Sequence, residues 1–295
     1  MRTPIFREAY TLQEPLSFEG VGLHRGRHSI LQILPARHPG FWLRQLSDSA
    51  PAEAMLMNAA QVTGTRRCTA VAGIETVEHV LAALYGLGYS AAELVLRGEE
   101  FPILDGSALP FAEALQRSAR QKLPFSRPVL AVAAPFTLDD PQGVWQIHVS
   151  PWQGLRLDYT VDFALPGEDD LRYQARASYR REQAETAVTD FLTQVAPART
   201  FVFEHEVAAL KQAGQALGGS LDNAVVLNAQ AQPLRPLRLP HEPARHKLLD
   251  LCGDLALLGP HLDLQAHIQV VKGGHAAHVT LVQHLQQLDE RRENA

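Results

Sequence analysis

Between His246 and Gly259 the chain reads HKLLDLCGDLALLG, a stretch that is apolar almost all the way round when wound as a helix. Each helical residue advances about 100°, so His246, Asp250 and Asp254 fall near 0°, 40° and 80° of one face, with Lys247 at about 100°. Leu248, Leu249, Leu251, Leu255 and Leu258 cover much of the rest. A helix of this kind has to be largely buried, and its few polar groups then need partners or a cleft.

The surrounding pattern supplies the layers that could bury it. HSILQIL alternates and follows the glycine turn EGVGLHRGR, so residues 15–34 read as paired strands. ETVEHVLAALYGLG has a helical period and ends on Gly86 and Gly88, AAELVLRG reads as a strand, FPILDGSA as a loop and ALPFAEALQRSAR as a second helix. QKLPFSRP breaks the pattern with two prolines. Strands resume in VLAVAAPFTL, GVWQIHVS and LRLDYTVDF, followed by the helix HEVAALKQAGQ, the strand NAVVLN, the apolar helix and the strand LQAHIQVVKG. Both halves thus run strands, helix, strand, helix. The expectation is an α+β fold in two domains, residues 1–127 and 128–295.

With 46% apolar and 20% charged residues and a formal net charge of -5, the composition is that of a globular protein and gives no sign of a nucleic-acid partner. The apolar runs stop well short of the roughly 20 residues a membrane-spanning helix needs. MRTPIFREAYTLQEPLSFEG does not read as a signal peptide, so a cytoplasmic protein is expected; a monomer is expected as the default. Two cysteines, Cys68 and Cys252, cannot make a disulfide framework or a four-thiolate zinc site. Any bound metal has to draw mainly on nitrogen and oxygen, and thirteen histidines are available.

Three features could carry chemistry, each with an ordinary alternative. His246 and Asp250, four residues apart, can converge on one ion, or can simply form a local pair on a helix face. In ETVEHVLAAL, His79 could hold a metal while Glu78 reaches a water from the side; the alternative is a glutamate at a helix start and a histidine packed in the core. In KGGHAAH, residues 272–278, two glycines at a strand end could present His275 at a cleft, or form a plain turn with surface histidines. Lys272 and His278 are further candidates. Taken together, the features are economically explained by a catalytic zinc site. His79, His246 and Asp250 would be ligands, Glu78 a base, Lys247 a positive charge for substrate and His275 an acid held by Asp254.

The same residues resemble the zinc-dependent UDP-3-O-acyl-N-acetylglucosamine deacetylases (LpxC) of lipid A biosynthesis. The resemblance is carried by GVGLHRG at 20–26, TVEHVLAALYGLG at 76–88, FPILDGSALPF at 101–111, ARTFVF at 198–203, LGGSLDNAVV at 217–226, HKLLDLCGD at 246–254 and KGGHA at 272–276, in family order over nearly the whole chain. It implies two α+β domains, each a sheet with two helices, sandwiched so that the helices face each other with the metal between them. It also implies Zn2+ on His79, His246 and Asp250, Glu78 as base, and His275 as acid and oxyanion stabiliser supported by Asp254. Thr200 would help hold the oxyanion, Lys247 would contact substrate and Phe201 would line the site.

By the same resemblance, Val207, Ala216, Gly219, Ser220, Ala224 and Val226 line an apolar passage for the 3-O-acyl chain. Phe163 packs on uracil and Lys272 lies near the pyrophosphate of a UDP-linked acylated amino sugar. Several departures bear on substrate choice. Val144 stands where the family often carries a lysine, which leaves Arg25 or Arg27 as other sources of charge; the loop between Cys68 and Glu75 is short; and GHAAH replaces GHALN. Alternative functions are a related zinc deacetylase for another nucleotide-linked or N-acetylated sugar, and a non-catalytic nucleotide-sugar binding protein.

Overall fold

The computed structural model describes residues 5–46, 53–165, 172–181, 184–259 and 263–293. The first half contains β1 (Phe6–Leu12), β2 (Leu16–Val21), β3 (His28–Leu34), β4 (Gly40–Leu46), β5 (Met55–Leu56), β6 (Val62–Gly64), β7 (Ala70–Val71), α1 (Glu78–Gly86), β8 (Ala91–Arg97) and α2 (Leu109–Arg117). The second contains β9 (Arg120–Ala131), β10 (Phe136–Asp139), β11 (Gln146–Ser150), β12 (Leu155–Ala164), β13 (Arg172–Arg181), α3 (Ala184–Gln194), β14 (Phe201–Phe203), α4 (Glu204–Gln212), β15 (Val225–Leu227), α5 (Glu242–Leu255), β16 (Asp263–Val271) and α6 (His275–Glu293). No helix among the described residues is long and apolar enough to cross a membrane.

The architecture is α+β. One five-stranded sheet has the order β2-β3-β8-β4-β5, with β4 and β8 parallel. A seven-stranded sheet runs β1-β9-β16-β11-β10, and β12, backed by β13, pairs along β16. The inward side chains Leu31, Ile33, Leu94 and Leu96 of the smaller sheet and Leu157, Tyr159 and Ile268 of the larger belong to one continuous core, which also takes in the apolar side chains of α1 and α5. α1 is buried at all nine positions, and α5 is buried at twelve of fourteen. The sheet faces and these two helices together remove most of each other's apolar surface from water, which is the main driving force for stacking the layers.

A buried charge cluster stitches the larger sheet together. Asp263 at the start of β16 receives Arg7 of β1 at 2.9 Å, Arg127 of β9 at 3.8 Å and, at closer range, Arg181 of β13. Burial opposes ionisation of this carboxyl, but the three guanidinium groups outweigh it and hold its pKa below the ordinary value.

Several elements differ from the pattern reading. QKLPFSRP lies inside β9 rather than in a break, because the β1 register shifts between Glu8 and Tyr10 opposite the Pro124 region, and a bulge tolerates the missing donor. The strand β13 has inward positions Ala175, Ala177, Tyr179 and Arg181, of which two are small and one is charged, so its alternation is hidden. KGGHAAH does not end in a turn: from His275 the chain enters α6, whose stripe Ala277, Leu281, Val282 and Leu285 is buried. Among the described residues the second half has four helices, two of which, α3 and α6, that reading leaves out.

Candidate active site and metal centre

Gly253 decides how closely α1 and α5 approach. A Cβ at this position would lie 2.1 Å from the Glu78 carbonyl oxygen and 2.8 Å from its carbon, so the two helices cross backbone against backbone. The crossing sets the first turn of α1, with Glu78 and His79, beside the polar stripe of α5.

His79, His246 and Asp250 each offer a ligand atom within 4.8 Å of the others, and all three are buried. The rings of His79 and His246 meet edge to face, with centroids 5.1 Å apart. His246 Nδ1 lies 3.0 Å from the Ala198 carbonyl oxygen, which can only accept, so Nδ1 carries the proton. Nε2, 3.3 Å from Asp250 Oδ1, is left with its lone pair free. Burial pushes His79 down to about 3, with His246 acting in the same direction, and burial also lowers His246. Asp250 is held well below the usual carboxylate range: burial opposes this, but His246, Lys247 and His275 outweigh it.

Two neutral imidazoles and an ionised carboxylate are the protonation states that metal binding requires. Moreover, His79 Nδ1 and Asp250 Oδ1 are buried without a hydrogen bond. Orphaned polar atoms are costly in a core, and a divalent cation bound by this nitrogen and oxygen set would relieve that cost. The donor set therefore fits a metal ion. Cys68 belongs to none of the donor groups among the described residues, and burial pushes its thiol up, far from the thiolate a metal would need.

Around this trio the remaining charged groups are fixed by specific partners. Lys247 donates from Nζ to Asp250 Oδ2 at 2.7 Å and lies 5.9 Å from the centre of the Phe201 ring. The Thr69 N–H donates to Glu78 Oε2 at 3.0 Å. Burial pushes the Glu78 carboxyl up to about 8, against the pull of His275 and with Asp250 and Asp254 adding to the rise. His275 Nδ1 is 3.0 Å from Asp254 Oδ2, while its Nε2 faces Asp250 at 3.6 Å and Glu78 at 3.9 Å. Burial alone would lower His275, but Asp254 and Asp250 push it up to about 9, so the imidazole is cationic near neutral pH. A buried imidazolium with one nitrogen anchored and the other aimed at a carboxylate is suited to donate a proton there.

Thr69 and His24 are site residues that sequence spacing does not single out. The Thr69 hydroxyl donates to Asp254 Oδ1 at 2.5 Å and lies 2.9 Å from His275 Nδ1. His24 is buried with neither ring nitrogen hydrogen-bonded; burial lowers its pKa, Glu100 and Glu75 oppose, and His275 is among the charges acting on it. The only sequence signal for either was membership of a quoted motif or its flank.

The residues expected to contact substrate fall into two groups. Phe201 lies 6.2 Å from the His246 ring and 5.6 Å from Phe163, giving an aromatic path away from the trio. Thr200 precedes β14, its N–H donating to the Gly106 carbonyl at 2.8 Å and its carbonyl accepting from Val225 at 2.8 Å. Lys272 pairs with Asp162 at 3.3 Å, beside Phe163 on β12. Of the positions expected to line an acyl passage, Val207, Ala216, Gly219 and Val226 are half-buried, Ala224 is buried and Ser220 is exposed. Their loop is tied to the first half of the chain, since Leu217 and Gly218 donate to the carbonyls of His24 and Leu23, each at 3.0 Å. Val144 is exposed in the turn after β10, Arg25 is engaged by Glu75 and Glu99, and Arg27 by Glu99.

The chain was compared with known proteins. A UDP-3-O-acyl-N-acetylglucosamine deacetylase of Syntrophotalea carbinolica is 35% identical over 271 residues, covering 90% of this chain and 83% of its own. The protein of that name from Citrifermentans bemidjiense is 36% identical over 281 residues, covering 93% and 88%. That from a Nostoc species is 34% identical over 284 residues, covering 94% and 97%. Residues 9–287, which include both crossing helices and every residue of the trio, match one family along their whole length, and the chain belongs to the UDP-3-O-acyl N-acetylglycosamine deacetylase family.

Proposed function

We propose that this chain hydrolyses the N-acetyl group of UDP-3-O-acyl-N-acetylglucosamine, releasing acetate, in lipid A biosynthesis, with zinc as its metal. One observation carries the reading: a buried base candidate, Glu78, and a buried cationic acid, His275, approach to 3.9 Å beside an N,N,O donor trio. Zn2+ held by His79, His246 and Asp250 would supply Lewis acidity toward the amide carbonyl and water, together with a positive charge favouring ionised Glu78.

The chain's own residues divide the remaining work. Glu78 removes a proton from the attacking water, its carboxylate oriented by the Thr69 N–H. His275 Nε2 gives a proton to the leaving nitrogen, which is a poor leaving group until protonated. Asp254 holds the opposite ring nitrogen and so keeps Nε2 pointed at the reacting amide. Lys247 and Thr200 meet the developing negative charge and the substrate. Phe201 lines the site, Phe163 provides a stacking face toward the uracil, Lys272 lies toward the pyrophosphate, and Val207, Ala216, Gly219, Ser220, Ala224 and Val226 wall the acyl chain. Each buried methylene of that chain contributes about 0.8 kcal/mol.

The test is acetate release from UDP-3-O-acyl-N-acetylglucosamine by purified protein carrying one zinc per chain. No release, or preference for an N-acetylated sugar lacking the 3-O-acyl group, would overturn the assignment.

A further inference from the structure

His278 is wholly buried, and both of its ring nitrogens are engaged. Nδ1 lies 2.7 Å from Asp254 Oδ2 and Nε2 lies 3.0 Å from the Tyr159 hydroxyl. Asp254 is held ionised: burial opposes this, but His275 and His278 outweigh it, so its oxygens only accept. Burial keeps His278 below its ordinary pKa, with Asp254 acting the other way. For the neutral ring one proton arrangement satisfies every partner: Tyr159 donates to Nε2, and Nδ1–H donates to Asp254.

The fold makes room for this arrangement. Tyr159, on β12, is completely buried. A Cβ on Gly273 would lie 2.9 Å from the Tyr159 hydroxyl oxygen and 2.5 Å from Val270 Cγ1, so the first glycine after β16 leaves space for the hydroxyl. His275 and His278 then stand three residues apart on the first turn of α6 and converge on the same oxygen, Asp254 Oδ2. With Thr69 on Oδ1, the carboxylate has three donors and no freedom to turn.

We propose that His278, locked by Tyr159, is a positioning residue: it fixes Asp254 so that Oδ2 holds His275 Nδ1 and keeps His275 Nε2 on the reacting amide. This rests on the reading of His275 as the acid. His278 does not meet substrate or metal in this role. Losing it frees one lone pair of Oδ2, lets the carboxylate plane rotate and spreads His275 over more orientations, which lowers turnover without altering substrate affinity.

The test uses the zinc-loaded full chain and the variants His278→Ala, His278→Asn and Tyr159→Phe. The expected result for His278→Ala is a kcat lower by about 10- to 100-fold, the scale of losing an outer partner of a site residue, with KM and zinc content unchanged. His278→Asn, which keeps an N–H donor, should recover most of the rate, and Tyr159→Phe should show a smaller loss. In 15N-histidine NMR spectra the wild type should show two protected, downfield Nδ1–H protons, and Tyr159→Phe should shift both.

A kcat for His278→Ala within about twofold of wild type overturns the proposal, as does an asparagine variant as slow as alanine, or zinc loss in step with rate. Should His278→Ala not fold, Tyr159→Phe decides, and an unmoved His275 resonance overturns it. A wild-type chain that releases no acetate would instead sink the functional reading, while the resonances still report whether His278 holds Asp254.

Discussion

Gly253→Ala tests the idea that the site exists because α1 and α5 touch backbone to backbone. In a helix interior alanine is favoured over glycine by about 0.8–1.0 kcal/mol, so propensity alone makes this substitution stabilising. The structure reverses the sign. The new methyl would stand 2.1 Å from the Glu78 carbonyl oxygen, where real Cβ contacts essentially never fall below 3.0 Å, and the atom it meets is backbone rather than the end of a flexible chain. The helices have to separate by about 1 Å, and overpacking of this kind typically costs about 1–3 kcal/mol. Because Glu78 and His79 ride on α1 while His246, Asp250 and Asp254 ride on α5, the same shift spreads the site, and a 1 Å misplacement can cost about a hundredfold in rate. Thermal and denaturant unfolding, zinc content and acetate release should be measured side by side. A Gly253→Ala protein as stable as wild type or more so, with unchanged turnover, would refute the crossing argument.

Other substitutions probe the division of labour and the frame. Asp250→Ala should lose zinc and activity together, whereas Glu78→Gln should retain zinc by elemental analysis and lose about a hundredfold to ten thousandfold in rate; equal metal loss in both would remove the distinction between ligand and base. Asp263→Ala leaves Arg181 and Arg127 buried without their partner and should cost about 3–5 kcal/mol in urea unfolding. Because the folded pKa of Asp263 is depressed, its contribution is present above the unfolded carboxyl value of about 3.9 and is lost as pH falls through the folded value; the variant should lose this part of the acid limb. Burial pushes both thiols up, Cys252 to about 12, so neither should react with iodoacetamide at neutral pH until the protein unfolds, and rapid native alkylation would contradict that burial.

Much of the fold was legible because helix and strand periods are local. HSILQIL and LQAHIQVV showed their alternation, and the leucines of α5 announced a buried helix. The stripe Ala277, Leu281, Val282 and Leu285 of α6 was equally present, but Gly273 and Gly274 drew the reading toward a turn. β9 was obscured because Pro124 is accommodated opposite a register shift in β1, a property of the partner strand rather than of QKLPFSRP itself.

The groups available for chemistry could be read from the chain: two neutral-capable histidines and an aspartate for a cation, a glutamate beside one of those histidines, and a histidine after a glycine pair. Residue chemistry and short spacings are properties of the chain. That these groups meet is a consequence of packing. The bare backbone of Gly253 lets α1 lie against α5, Thr69 reaches Asp254 across 185 positions of sequence, and Tyr159 reaches His278 across 119. Those distances are set by how two helices and a sheet pack as solid bodies, and no spacing within any one segment contains them.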